Sequence, residues 1–315
     1  LQQTQVAQGT PYYLKFIEHY PTVHDLARAP EDQVLNDWQG LGYNTRARNL
    51  HATARIISTR FSGEFPATCR ELMALPGIGP YTAAAVASFA FEVPVPVIDT
   101  NVIRVISRFL GLSDPVGTTT LHRQISAALE PLMGRVTPSE FNQAIMDFGA
   151  TQCVPANPAC ETCPLSGHCV AYAGDLVAAL PVRKPRRSRR KRFLHYLVLH
   201  NDHGIMLRKR TARDIWQHMY DFPLVEADRA DPDPGLMSDL LQRAVPGVLS
   251  GPDISGDNQI LTHQHIHCVF YTYAVQHPLT TAGYDDCVFV EYQNLHNFAV
   301  PKIIDCYFRS NSIHL

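Results

Sequence analysis

Four cysteines packed into residues 153–169 constrain this chain more than any other stretch. Cys153, Cys160, Cys163 and Cys169 are separated by six, two and five residues, with Pro155, Pro158, Pro164 and Gly167 breaking the intervals. Proline loses a backbone hydrogen bond inside a helix or central strand, so the segment reads as a compact loop able to wrap one metal centre. Zinc and an iron–sulfur cluster both accept four thiolates, and the residues alone leave the two open. Thiols at this density favour metal ligation in a reducing compartment over a disulfide frame. Cys69, Cys268, Cys287 and Cys306 lack such spacing and read as core residues.

Upstream, Leu75-Pro76-Gly77-Ile78-Gly79 forms a glycine-rich turn, and two glycines permit backbone angles that other residues resist. The stretch from Tyr81 to Phe91 is rich in alanine and reads as a helix. Its first turn aims unpaired N–H groups and the positive end of the dipole at the glycines, a position that suits a phosphate. Gly77 and Gly79 are therefore candidate contacts to a nucleic-acid backbone, blind to sequence. Val102, Ile103, Val105, Ile106, Phe109 and Leu110 then recur at helical spacing, with Asp99 ahead of them as a natural N-cap. A carboxylate that accepts backbone N–H bonds keeps its charge at neutral pH, and a fixed anion is what a cationic transition state requires. Cap and catalytic group are compatible readings of Asp99.

With 315 residues, 45% of them apolar, the chain can build two domains with cores of their own. A net charge of −2 gives no global positive field, yet eight of the ten residues at 183–192 are basic. That run is too charged for burial and too proline-broken for a helix, so it reads as a solvated linker that could add phosphate contacts. Residues 11–63 read as short helices turning at Tyr20-Pro21, Ala29-Pro30 and Gly40-Leu41-Gly42, with a longer helix through Arg46, Arg48, Leu50, Ala54 and Ile57. Tyr43, on a glycine-flanked turn, either packs locally or stacks on a base. From Phe193 the pattern changes: FLHYLVLH and IMLRKR flank Asp202-His203-Gly204 as a hairpin of alternating strands. Strand-like runs at 267–275 and 287–292, with helical patterns near 235–244 and 299–309, complete an α+β domain. His265 and His267 alternate on a strand without the nearby carboxylates or thiols a metal site requires. Residues 16–183 contain no lysine, so no amine nucleophile is available there. No run of about 18 apolar residues and no signal-peptide pattern is visible, and a cytoplasmic, nucleoid-associated bacterial protein is expected.

LPGIGPYTA followed by VIDTNVIRV resembles the helix-hairpin-helix DNA glycosylase superfamily. Within it, LQQTQV at 1–6, GLGYNTRARNL at 40–50 and FNQAIMDFGATQC at 141–153 resemble the MutY-type adenine DNA glycosylases more closely than endonuclease III. The resemblance implies a mostly α N-terminal helix-hairpin-helix region (1–180), a basic linker (181–192) and an α+β, Nudix-like lesion-recognition domain (193–315). The 6-2-5 cysteine spacing is similar to the family's [4Fe–4S] loop, which implies Cys153, Cys160, Cys163 and Cys169 as ligands of a cluster that orders a basic loop against DNA.

The same resemblance implies a reaction: hydrolysis of the N-glycosidic bond of adenine mispaired with 8-oxoguanine or guanine in duplex DNA, by a monomer. Asp99 would stabilise the oxocarbenium-like sugar, Tyr81 would be its hydrogen-bonding neighbour and Asn101 would support the site. Tyr81 stands where bifunctional relatives carry a nucleophilic lysine, which implies a monofunctional enzyme that uses water. Gln3 and Thr4 would contact the lesion strand, Tyr43 would wedge beside the damaged guanine, and Thr262 and His263 would occupy the loop that inspects 8-oxoguanine. Leu261 replaces an aromatic there, and Thr100 replaces the glycine common in the MutY motif. The family's general-acid Glu lies three positions before the residue matching Leu1, so it is expected upstream and this chain is expected to be inactive or impaired. Residues 223–246 hold no Glu-rich REXXEE cluster, so pyrophosphatase activity is not expected. The alternatives are an endonuclease III-like glycosylase of oxidised pyrimidines and a lesion-binding fragment without turnover.

Overall fold

Prolines and N-caps set the lengths of the opening helices. In this computed structural model, which describes residues 4–185, 188–231, 233–244, 251–275 and 286–313, the chain begins with α1 (Val6–His19) and α2 (Val23–Arg28). Thr22 and Asp25 form a reciprocal capping box at the start of α2. Pro30 stands at the entry to α3 (Glu31–Asp37), and α4 (Thr45–Arg60) follows the glycine turn. Each break falls where the sequence places it. Tyr20, Leu26, Val34, Leu35, Ala47 and Ala54 form the helical core, and Met219 and Ala299 enter it from far along the chain.

The middle of the chain is helical as well: α5 (Cys69–Met73), α6 (Pro80–Phe91), α7 (Thr100–Leu110), α8 (Thr119–Leu129), α9 (Pro138–Thr151) and α10 (Val170–Ala173). Ile98, Val102, Val105 and Ile106 pack on Leu121, Ile125 and Leu129, so the apolar stripe of α7 is buried against α8. Asn142, fully buried on α9, accepts from Val97 N–H (2.9 Å) and donates to Ser88 Oγ (2.8 Å) and Val95 O (2.9 Å). It thereby fixes the connection from α6 to α7, which ends at Asp99.

The last part is a mixed seven-stranded sheet of β1 (Arg190–His200), β2 (Gly204–Lys209), β3 (Tyr220–Asp221), β4 (Leu224–Ala227), β5 (Asp253–Ile260), β6 (Gln264–Ala274) and β7 (Cys287–Glu291). The order is β3-β2-β1-β6-β5, with β4 on β1 and β7 on β2, and β1 runs parallel to β6 from Arg190↔Gln264 to His200↔Ala274. Helix α11 (Ser238–Ala244) covers one face, and α12 (Lys302–Ser310) packs Ile303, Ile304, Tyr307 and Phe308 on the other. The domain is α+β, as the sequence predicts. The expected alternation of β1 is absent: with helices on both sides, Leu194 through Leu199 are all buried, the pattern of a central strand. Among the described residues β5 is an exposed edge.

By compactness, residues 1–59 group with 187–315, and 60–186 form the second unit. The first grouping follows from Met219 and Ala299 in the helical core, from Lys209 on Asp32 (2.8 Å) and from the His218–Glu31 pair.

The basic run is not wholly solvated. Arg190 to Arg192 begin β1, and Arg192 is only 7% exposed. Burial of its guanidinium is offset by charge-assisted bonds to Asp214 (2.8 Å) and Glu226 (2.6 Å), partners that sequence spacing does not reveal. Bonds from Arg192 hold Glu226 below the ordinary carboxylate value; at Asp214 burial acts upward, but the bonds from Arg192 and Ile215 N–H outweigh it. Depressed carboxylate pKa values stabilise the fold above the ordinary carboxylate range, and the gain is lost as pH falls through the depressed values. Arg192→Met is expected to cost about 1–2 kcal/mol at neutral pH, after allowance for the partial exposure of both acids, and much less in acid. Thermal melts of both proteins along a descending pH series check this, and a gap that stays constant into acid would contradict it.

Candidate nucleic-acid interface and active site

The hairpin before α6 places Gly77 and Gly79 just ahead of a helix N-terminus. Gly77 adopts φ +73°, a left-handed conformation that favours glycine. Gly79 does not: it is an extended N-cap at φ −87°, ψ 176°, open to any residue. The expectation of unusual angles at both glycines is thus corrected to one. A Cβ added at Gly79 would meet nothing within 4 Å, so glycine there keeps an open flank at the N-terminus of α6. Pro80 opens the helix at a position where its missing N–H costs nothing.

Asp99 is held on both oxygens. Its Oδ1 accepts from Val102 N–H at 2.7 Å, capping α7, and its Oδ2 accepts from Asn101 Nδ2 at 2.9 Å. Asn101 is fixed in turn by Arg104, whose Nη2 donates to Asn101 Oδ1 at 2.9 Å and whose Nε donates to Cys153 O at 2.6 Å. Gly149 packs so closely here that a Cβ would lie 2.7 Å from that of Asn101. One turn on, Arg108 donates to Val154 O (2.8 Å), Pro155 O (3.0 Å) and Leu180 O (3.0 Å), and reaches Cys153 Sγ at 3.4 Å. A continuous chain of bonds therefore joins the Asp99 carboxylate to the start of the cysteine loop. Tyr81, on α6, is 42% exposed, and burial together with the neighbouring charge of Asp99 raises its phenol above its ordinary value.

Cys153, Cys160, Cys163 and Cys169 line one cavity, with Arg108, Phe148, Leu165 and Tyr172 around them. Burial and then the charges of the other three thiols push the Cys160 thiol up. Among the described residues no three His, Cys, Asp or Glu side chains are disposed to hold a single metal ion. Of the remaining cysteines Cys268 is buried, whereas Cys69, Cys287 and Cys306 are partly exposed.

The other candidates lie in the unit of residues 1–59 and 187–315. Tyr43 is 59% exposed at φ +50°, a strained angle for an aromatic residue, and its hydroxyl meets Thr262 Oγ1 at 2.5 Å. Arg46 lies over the rings of Tyr43 and Trp38 and donates to Thr4 Oγ1 at 3.0 Å. Thr4, Tyr43 and Thr262, far apart in sequence, thus form one cluster, and exposed His263 follows Thr262 on the β5–β6 turn. A cavity of about 420 Å³ opens beside them, lined also by Arg48, Gln217, Gln264 and Lys302. Gln3 lies outside the described residues.

Sequence analysis does not single out Arg104, Arg108 or Asn142. The arginines had a signal, a pair at i, i+4 among the buried apolar residues of α7; Asn142 had none, because its partners lie 45 and 54 residues away.

Helix α5, a glycine-hinged hairpin and helix α6, followed by a capped carboxylate, make a helix-hairpin-helix arrangement. A family model for the HhH-GPD superfamily base excision DNA repair proteins matches residues 1–131. The adenine DNA glycosylase of Buchnera aphidicola subsp. Baizongia pistaciae is 36% identical over 224 residues, 71% of this chain and 63% of its own length. The Mus musculus adenine DNA glycosylase is 41% identical over 189 residues, 58% of this chain and 36% of its own. A thermostable thymine-DNA glycosylase superposes with a TM-score of 0.51 at 31% identity, over 55% of this chain and 80% of that one. The chain belongs to the HhH-GPD superfamily of base excision DNA repair proteins. It spans 63–64% of the length of the Buchnera relatives.

The two glycines differ in a testable way. Gly77→Ala is expected to destabilise by about 1–2 kcal/mol, the cost of a side chain in the left-handed region, whereas Gly79→Ala leaves the melting temperature nearly unchanged and weakens duplex binding. Calorimetry with a binding titration separates the two effects; equal losses of stability would refute the assignment.

Proposed function

We propose that this protein excises adenine paired with 8-oxoguanine, or with guanine, from double-stranded DNA by hydrolysing the N-glycosidic bond. The observation that carries the reading is the Asp99 carboxylate, both oxygens of which are bound at the head of α7, the helix that follows α6. Adenine must leave the stack before its glycosidic carbon is accessible, and mispairing lowers that cost. As the bond breaks the sugar becomes positive, and an anion that is already oriented stabilises that charge without reorganisation. Asn101 and Val102 N–H keep the Asp99 charge in place. Tyr81, its phenol kept protonated by burial and by Asp99, is a hydrogen-bond donor next to that charge. With no lysine in residues 16–183, the attacking group is water and the enzyme is monofunctional.

On the other unit, Tyr43, Thr4, Thr262 and His263 inspect the base opposite: the ring supplies a stacking face and Thr262 a hydroxyl. Cys153, Cys160, Cys163 and Cys169 would hold a [4Fe–4S] cluster: all four line one cavity, four thiolates are the ligand set such a cluster takes, and Arg108 near Cys153 Sγ suits a thiolate. When bound, the cluster would order the loop that anchors Arg104 and Arg108. The protein is proposed to act as a monomer on nucleoid DNA; no helix among the described residues is long and apolar enough to cross a membrane.

In the protein expressed from its own reading frame, Asp99→Asn is expected to reduce adenine release from an 8-oxoguanine·adenine duplex by about 10²–10³-fold, with duplex affinity little changed. Full activity of that variant would remove Asp99 from the chemistry, and strand cleavage of a thymine-glycol duplex without alkali would favour an endonuclease III-like activity. The purified protein is further expected to show the broad visible absorbance of an iron–sulfur centre, lost in Cys163→Ser; a colourless protein containing zinc would overturn the cluster.

A further inference from the structure

The sheet has one end that the proposed chemistry does not use. Register places Lys191 on β1 beside His265 on β6 and Ile260 on β5, and in the next row Phe193, His267 and Asn258, all on the α11 face. Further along, that face is covered by Met237, Leu240 and Leu241 packed on Leu197, Val269 and Tyr271. At this end it is open: Lys191 is exposed, the two histidines are partly exposed and Ile260 is 64% exposed. The imidazoles of His265 and His267 stand 4.1 Å apart, and His267 stacks on Phe193 at 5.0 Å. His267 Nε2 is buried and has no hydrogen-bond partner among the described residues.

Charge determines what such a site accepts. Burial first, then His265 and Lys191, hold the His267 pKa below its ordinary value, and the register itself places the Lys191 ammonium one row away. The acids nearby are turned to other partners: Asp214 and Glu226 bind Arg192 on the opposite face, and Arg229 pairs with Asp233 at 3.6 Å. Asp257, opposite Cys268, also belongs to the opposite face, Asn258 and Ile260 are uncharged, and buried His195 is bonded to Tyr271 and to Arg229 O. Asp228 and Asp231 follow β4 and pair with none of the three groups among the described residues. A cation would be repelled by Lys191, and an anion would be attracted.

We infer that Lys191, His265 and His267 form a binding site for a phosphodiester of the DNA backbone, flanking the β5–β6 turn that carries Thr262 and His263. The site adjoins that turn directly: Arg190 N–H donates to His263 O at 3.0 Å, so the start of β1 runs alongside it. The choice of DNA as the source of the phosphate rests on the glycosylase reading, but the contact itself is blind to lesion and sequence. An undamaged duplex therefore tests it apart from catalysis.

Phosphate raises the pKa of a histidine it binds, so affinity is full below the free-state pKa and is lost as pH rises through the bound-state value. Fluorescence anisotropy of the full chain with an undamaged duplex is expected to show affinity falling about tenfold between about pH 6 and about pH 8 at constant salt. The double variant His265→Gln, His267→Gln flattens that dependence, and Lys191→Gln, at an exposed site that leaves folding intact, reduces the salt slope by roughly one. Unchanged pH and salt dependence in the variants would overturn the site. So would zinc retained by the wild type and lost by the double variant with duplex affinity unaltered, which would mark a cation site. A wild-type chain that binds no duplex at all would overturn the glycosylase reading and this site together, whereas failure of adenine excision with pH-dependent binding intact would leave the site standing.

Discussion

Two arginines buried on one helix tie α7 to the cysteine loop. Arg104 and Arg108 are 7% and 4% exposed, and guanidinium groups removed from water carry a penalty of several kcal/mol each unless their donors are satisfied. Backbone carbonyls at the start of the cysteine loop, together with Leu180 O and Asn101 Oδ1, supply that satisfaction. The arrangement is directional, because carbonyls can be gathered around a guanidinium only if the loop takes one path. The orientation of Asp99 and the path of residues 153–155 are thus set by the same two side chains. A substitution in the loop can alter the carboxylate without touching it.

The other unit is joined differently. Its helices and its sheet share apolar contacts through Met219 and Ala299, and α3 presents Glu31 and Asp32 to His218 and Lys209. Apolar contact gives the stability, and the ion pairs fix orientation more than they add energy. Tyr43 is held in a left-handed conformation at the tip of this assembly and reaches the hydroxyl of Thr262. A residue held in a disfavoured conformation on an exposed turn is positioned by its surroundings.

What could be read from the sequence was local. The breaks between α1, α2 and α3, the cap at Asp99, the hairpin at Gly77 and the cysteine spacing each depend on residues a few positions apart, and the structure contains all of them. What could not be read was set by distant partners. Arg192 is buried because Asp214 and Glu226 come to it, β1 loses its alternation because helices cover both faces, and Asn142 is fixed by atoms on two other segments. The two glycines of the hairpin look equivalent in sequence and differ only in where the chain turns. The candidate residues were legible as motifs; their second layer of support, Arg104 and Gly149 above all, depends on close approach of α7 and α9, which no local pattern encodes.

Strand β5 has a solubility consequence of its own. Among the described residues its outer rim is unpaired, and an unpaired rim invites a foreign strand to add itself. Asp253 and Asp257 stand along it with Gly256 between them, so a second chain docking there would have to strip water from two carboxylates and lie against a weak strand former. Two carboxylates along that rim therefore raise the cost of sheet-to-sheet growth from this edge.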